Sequence, residues 1–164
     1  MSEGPIRIVV DTNVWVDSYC EEHVGSDAAK RFLSAAYEAQ AELLYPVHIA
    51  KDVVFVLSQE ARRTFSKWFG QLSEGMARAI RESAWACLRN MNELATPIGA
   101  DASDVWLADK YLKIHPDFED NLVLAACRRV KADFFVTNDA QLIAHADVVA
   151  KTPTQMLQLL SLDW

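Results

Sequence analysis

Short unbroken apolar runs alternate with amphipathic stretches along this chain. Ile6 to Val10 is such a run, ends in Asp11, and predicts a strand covered on both faces. Asp11-Thr12-Asn13 leads into a short helix over Val14 to Tyr19. Ala29, Phe32, Leu33, Ala36 and Tyr37 share one face at helical spacing, and Ser26 is placed to cap that helix. Leu43 to Tyr45 predicts a second strand ended by Pro46, and His48 to Leu57 a helix carrying Asp52 on its first turns. Gln59 to Lys67 is polar and basic. Met76, Ile80, Ala84, Cys87, Met91 and Leu94 form one stripe of a long helix over Gly75 to Leu94. Thr96 to Ile98 predicts a very short third strand. A helix then starts at Ser103 or Asp104, runs to about Leu112, and is stopped by His115-Pro116.

The stretch Asp117 to Leu142 reads as helix, turn, buried strand and the start of another helix. Asp117 can N-cap the first helix, and Asp120 falls where a capping-box acid would sit. Leu122 to Cys127 is apolar on nearly every side, which predicts a largely buried helix. Phe134, Phe135 and Val136 predict a core strand, followed by Thr137-Asn138-Asp139. Val148 to Ala150 predicts a last strand, and Pro153 the first turn of a helix to Leu160. No repeat, low-complexity tract or linker interrupts the alternation. The pattern predicts an α/β fold with a mostly parallel sheet, as one domain over residues 1–164.

A formal net charge of −7 argues against broad electrostatic attraction to nucleic acid, yet leaves room for a metal site built from carboxylates. Cys20, Cys87 and Cys127 are odd in number and widely spaced, which suggests buried thiols in a reducing compartment. Cys20 and His23 lack a second pair to complete a zinc site. Without a signal-peptide pattern or a long apolar span, a soluble cytoplasmic protein with no membrane contact is expected. No GxSxG, HExxH, Walker or GxGxxG motif occurs. A phosphatase of the haloacid dehalogenase type would need an acid where Asn13 stands. A receiver domain would need a phosphoacceptor Asp on a middle strand and a late-strand Lys, which the sequence does not place together.

Asp11, Asp117 and Asp139 each stand where a helix begins, and each alone reads as an N-cap. Taken together they read differently. Asp11 and Asp139 end strands, and Asp120 opens the helix between them. Parallel strands would bring them to one sheet edge, where ligands of α/β proteins bind. Clustered carboxylates raise one another's pKa and are tolerated when a cation neutralises them. An all-oxygen site suits Mg²⁺ or Mn²⁺. Asn13 and Asn138 can hydrogen-bond the carboxylates or a phosphate, or serve as turn residues. The stretch Arg62 to Phe69 mixes cations and aromatics as a single-stranded RNA surface would. Its preferred reading is a solvated helix face, with Phe65, Trp68 or Phe69 in the core or an interface. Arg128, Arg129 and Lys131 read as C-terminal charges that favour the helix dipole.

RIVVDTNVWV, the D-x-x-D-N form beginning at Asp117, and "aD-apolar-apolar-T-x-D" ending at Asp139 stand in an order and spacing that resembles PIN-domain nucleases, VapC-like toxin ribonucleases among them. The resemblance runs from about Ile6 to Leu160. It implies a three-layer α/β domain and Mg²⁺- or Mn²⁺-dependent hydrolysis of RNA. Asp11 matches the first family acid and Asp120 the third. Asp139 matches the fourth, with Thr137 as its polar partner, and Asp117 is an accessory acid. The second acid is normally a Glu in the helix after strand two. Here that position is Asp52, one methylene shorter, which reads either as a catalytic acid working through water or as an exposed helix acid. The resemblance also implies inhibition by a small antitoxin protein. The aromatics Phe65, Trp68, Phe69, Trp85 and Trp106 predict a homodimer. A non-catalytic PIN-like module that binds RNA or protein is the alternative, and the Asp at position 52 favours it. No His or Lys general base is evident.

Overall fold

Ile8, Val9 and Val10 are all fully buried, so successive side chains on opposite faces of the first strand are both covered. Phe135 and Val136 are likewise fully buried in the strand beside it. Helices therefore cover both faces of the sheet, and the architecture has three layers. A computed structural model describes residues 4–162; residues 1–3 and 163–164 of the expected domain span lie outside the described residues. The elements are β1 (Arg7–Val10), α1 (Thr12–Tyr19), α2 (Ser26–Glu38), β2 (Glu42–Pro46), α3 (Val47–Phe69), α4 (Glu74–Leu94), β3 (Thr96–Ile98), α5 (Ala102–Lys110), a 3-10 turn (Tyr111–Lys113), α6 (Phe118–Arg129), β4 (Phe134–Val136), α7 (Ala140–His145), β5 (Ala150–Lys151) and α8 (Pro153–Leu160).

The strands of the described residues form one sheet in the order β3-β2-β1-β4-β5, with every neighbouring pair parallel. The chain adds β2 and β3 on one side of β1, then crosses to add β4 and β5 on the other. Loops leaving the carboxyl ends of β1 and β4 thus part in opposite directions and open a crevice there. Register places Val10 beside Val136, so Asp11 and Thr137 leave the sheet side by side. Trp15 of α1 packs edge-on to Tyr45 of β2, with ring centroids 6.4 Å apart. Phe32 of α2 and Leu124 of α6 are also fully buried.

Several local expectations shift. Ser26 does not cap α2; Gly25 occupies that position and Ser26 is the first helical residue. Tyr37 is 70 % exposed rather than on the buried face. Pro46 does end β2, as its last residue, where it lies opposite Ile98 and leads directly into α3. The helix expected to stop at Leu57 continues through the polar Gln59–Lys67 stretch to Phe69, one face packing on α4 while the other is solvated. Asp101, not Ser103 or Asp104, caps α5, and Asp104 completes its capping box. That helix ends at Lys110, and a 3-10 turn covers Tyr111–Lys113. β5 lies at Ala150–Lys151, later than expected.

Candidate active site

Asp11 ends β1, N-caps α1 and is 5 % exposed. Its carboxylate accepts from Thr12 N–H at 2.7 Å, Asn13 Nδ2 at 2.7 Å and the Thr137 hydroxyl at 2.6 Å. Burial nevertheless pushes its pKa up, those hydrogen bonds pull it back in part, and the Asp139 charge adds to the rise. Thr137 is fully buried just beyond β4. Its Oγ1 also accepts from Asn13 Nδ2 at 3.2 Å and from Asp139 N–H at 3.0 Å. Asn13 Oδ1 accepts the Asn138 N–H at 3.0 Å. The two strand ends are therefore tied by a polar network.

α6 brings the next acids. Asp117 caps it, accepting from Glu119 N–H at 2.8 Å and Asp120 N–H at 3.2 Å. Asp120 does not close the expected capping box: the Asp117 N–H donates instead to His115 Nδ1, at 3.1 Å. The Asp120 carboxylate lies 3.1 Å from that same His115 nitrogen. Nδ1 has one lone pair, so it either accepts from Asp117 or holds the proton shared with Asp120. Burial, then the charges of Asp11 and Asp117, push the Asp120 carboxyl up to about 6; His115 opposes and Asp139 adds a smaller rise. Donor atoms of His115, Asp120 and Asp139 all lie within 4.8 Å of one another. Asp139 also caps α7, accepting from Gln141 and Leu142 N–H. Asn121 Nδ2 donates to the His115 carbonyl at 2.8 Å and fixes the loop that carries the imidazole.

A cleft of about 380 Å³ opens onto this edge. Asp11, Asp17, Asp52, Asp117, Glu119 and Asp120 line it, and no lysine or arginine does among the described residues. Asp17 of α1 pairs with His23 at 2.8 Å and accepts from Asn138 Nδ2 at 2.9 Å. A Cβ at Gly25 would come within 2.2 Å of Asp17 Oδ2, so a side chain there would displace that carboxylate. Asp52 sits on the α3 wall, 3.4 Å from the Lys51 ammonium. His48, on the first turn of α3, has both ring nitrogens shielded from solvent and without a hydrogen-bond partner. Burial lowers its pKa, which favours the neutral ring.

The structure thus brings Asp11, Asn13, Asp117, Asp120, Thr137, Asn138 and Asp139 to one sheet edge, with Asp52 on the facing wall. The sequence marks no histidine as a general base, yet three histidines stand at or beside this edge. His23 and His48 line the cleft, and His115 contacts Asp120. His115 reads in sequence only as a helix stop before Pro116, and nothing there marks its contact. Asp17 had a usable signal, because it stands four residues after Asn13 on one helix face. Arg128 and Arg129 do more than favour a dipole: Arg128 pairs with Asp147 at 3.1 Å, and Arg129 with Asp104 at 2.9 Å.

Residues 7–141 match the family model described as PIN domain. No curated protein matches the chain. Among solved structures, VapBC2 from Rickettsia felis, bound to a DNA fragment from its promoter, superposes with a TM-score of 0.62 at 12 % identity, over 88 % of this chain and 97 % of that one. Mycobacterium tuberculosis VapC20, a sarcin–ricin loop cleaving toxin, superposes with a TM-score of 0.60 at 15 % identity, over 87 % of this chain and 97 % of that one. At such identities the likeness is one of fold.

Proposed function

The chain belongs to the PIN-domain family, and from that premise we propose that it is a divalent-metal-dependent ribonuclease, the toxin of a toxin–antitoxin pair. The observation that carries this reading is the convergence of Asp11, Asp120 and Asp139 on one sheet edge without a lysine or arginine lining the cleft beside them. The donors suit a hard divalent ion: carboxylates predominate, with one imidazole beside them. Asp11, Asp120 and Asp139 would hold Mg²⁺ or Mn²⁺, with Asp117 accessory and Asp52 acting from the opposite wall. When bound, the ion supplies Lewis acidity and charge neutralisation at the attacked phosphate.

The chain's own groups do the rest. Thr12, Asn13 and Thr137 fix both Asp11 oxygens. The Asp120–His115 pair can hold one proton between a carboxylate oxygen and Nδ1. Asn13 and Asn138 join the β1 and β4 loops and keep the acids in register.

The acid-rich cleft also suits an inhibitor that inserts a basic side chain, which supports a small antitoxin partner acting in the cytoplasm. No helix among the described residues is long and apolar enough to cross a membrane. Trp68 and Phe69, 74 % and 63 % exposed at the end of α3, support a homodimer. A monomer by light scattering at micromolar concentration would refute that part.

The reading is tested by melting the protein with and without Mn²⁺ and by following RNA cleavage. Wild type gains stability with metal concentration, as binding to the folded state requires, while Asp11→Asn loses most of that gain and the cleavage. Wild type and variant melting alike, with neither responding to metal, would leave the acids as helix caps. Growth arrest on expression without a partner tests the toxin role.

A further inference from the structure

We propose that the groove between α3 and α4 carries a single RNA strand to the cleft, with Arg62 and Arg81 holding phosphates and Phe55 and Trp85 stacking bases. The proposal rests on the ribonuclease reading of the cleft. Its starting point is charge. Six carboxylates line the cleft, and no lysine or arginine does among the described residues. A bound metal offsets them where one phosphate reacts, but the phosphates on either side need cations elsewhere. With a net charge of −7 the chain offers no general attraction, so a local patch must do this.

The α3–α4 groove is such a patch. It encloses about 490 Å³ and is lined by Lys51, Arg62 and Arg81 with no carboxylate. Lys51 joins it to the cleft: its ammonium lies 3.4 Å from Asp52 and 3.9 Å from Glu119, both cleft residues. From Lys51 to Arg62 the groove follows α3 for roughly 16 Å at the helical rise. Neighbouring Arg63 is paired with Glu60 at 3.0 Å, whereas Arg62 and Arg81 make no ion pair among the described residues. Phe55 and Trp85 line the same groove and are 60 % and 55 % exposed, with aromatic surface available to a base. Cations interleaved with exposed rings suit a strand whose bases are splayed out; a duplex keeps its base faces stacked and out of reach of the rings.

The test is fluorescence anisotropy of a short labelled RNA single strand, in EDTA so that nothing is cleaved, across a salt series. Wild type binds, and Arg62→Gln/Arg81→Gln binds about tenfold more weakly. Its log–log salt slope is shallower by about 1.4, the loss of two phosphate contacts on a single strand. Trp85→Ala weakens binding and leaves the slope unchanged. Arg63→Gln, outside the groove lining, binds like wild type, and the same sequence as a duplex binds less well.

Absence of binding by wild type, or equal affinity in the Arg62/Arg81 variant, overturns the groove. So does an equal loss in Arg63→Gln. Conversion of a dimer to a monomer by the groove substitutions, seen in light scattering, would make the groove a protein interface instead. Melting with Mn²⁺ keeps the two readings apart. A groove that binds RNA in a protein unmoved by metal stands without the nuclease, and a metal-responsive cleft with an inert groove stands without this strand path.

Discussion

Asp104 and Asp11 are both buried, 2 % and 5 % exposed, and both stand at the start of a helix, yet the chain surrounds them in opposite ways. Asp104 faces Arg129, whose Nε lies 2.9 Å from its carboxylate and 3.6 Å from that of Asp101. The same guanidinium donates to the Gly99 carbonyl, and the second Asp104 oxygen accepts the Asp101 N–H. Asp11 receives only neutral donors, and the nearest charges that perturb it and Asp120 are mostly further acids. A buried carboxylate without a cation costs several kcal/mol. Where the fold needs a buried acid to join α5 to α6, it supplies the cation. At the β1–β4 edge it leaves the deficit open, as a site meant for an external cation would.

The largest effect that would sharpen this contrast is on chemistry. Asp120→Asn and Asp139→Asn should each lower RNA cleavage about a thousandfold, or ~4 kcal/mol of barrier. Asp104→Asn should leave the rate per folded molecule within about twofold. Single-turnover assays at saturating Mn²⁺ read both, and equal losses would erase the distinction.

Next comes the cost of breaking the compensated pair. Arg129→Gln leaves Asp104 buried without its partner and should destabilise the fold by about 2 kcal/mol, discounted for the partly exposed guanidinium. Adding Asp104→Asn should recover about half of that loss. Urea unfolding of the single and double variants measures the coupling. No recovery would mean that Arg129 acts through packing.

The uncompensated side should show itself in pH. The Asp120 carboxyl is raised to about 6 in the fold, against about 4 in the unfolded chain. Between those values the folded state holds a proton that the unfolded state has given up. Stability of the metal-free protein therefore falls as pH rises from about 4 to about 6, by roughly 1–2 kcal/mol for this half-buried group. Asp101, whose hydrogen bonds from Ser103 hold its pKa low, pulls the opposite way, so the comparison is wild type minus Asp120→Asn at each pH. A flat difference would contradict the shift.

The smallest effect is the most diagnostic. At neutral pH, without metal, Asp120→Asn should raise stability by about 1 kcal/mol. Asp104→Asn, which leaves Arg129 without its main partner, should lower it by a similar amount. Identical changes at two buried acids would then have opposite signs. Melting curves in EDTA settle the signs.

Much of this edge was legible because strands buried on both faces write themselves as unbroken apolar runs. Ile8–Val10 and Phe134–Val136 needed no long-range information, and Asp11, directly after the first run, and Asp139, three residues after the second, had to fall near the carboxyl ends. The role of Asp120 was ambiguous between cap and site, since only the observed contact with His115 shows where its carboxylate points. His115, His48 and His23 were not legible. Their contacts depend on how loops and helices meet across the sheet, and a single histidine carries no periodicity. The length of α3 was missed for a related reason: its polar second half packs on α4 along one face while the rest looks like loop composition.

The Thr137 hydroxyl has a consequence for the order in which the molecule comes into being. Asp11 is made early, but its partner Thr137 lies 126 residues further along, as does β4, the strand that places them together. At typical synthesis rates that separation corresponds to roughly 6–25 s of translation. Throughout that interval a nascent chain carries Asp11 without the network that orients it, and neither Asp120 nor Asp139 has joined it for most of that time. The cluster is completed only after β4 has left the ribosome. Splitting the acids across the two ends of the β1–β4 pairing thus delays the appearance of the site until the sheet is almost whole. A truncated product ending before Thr137 would lack it altogether.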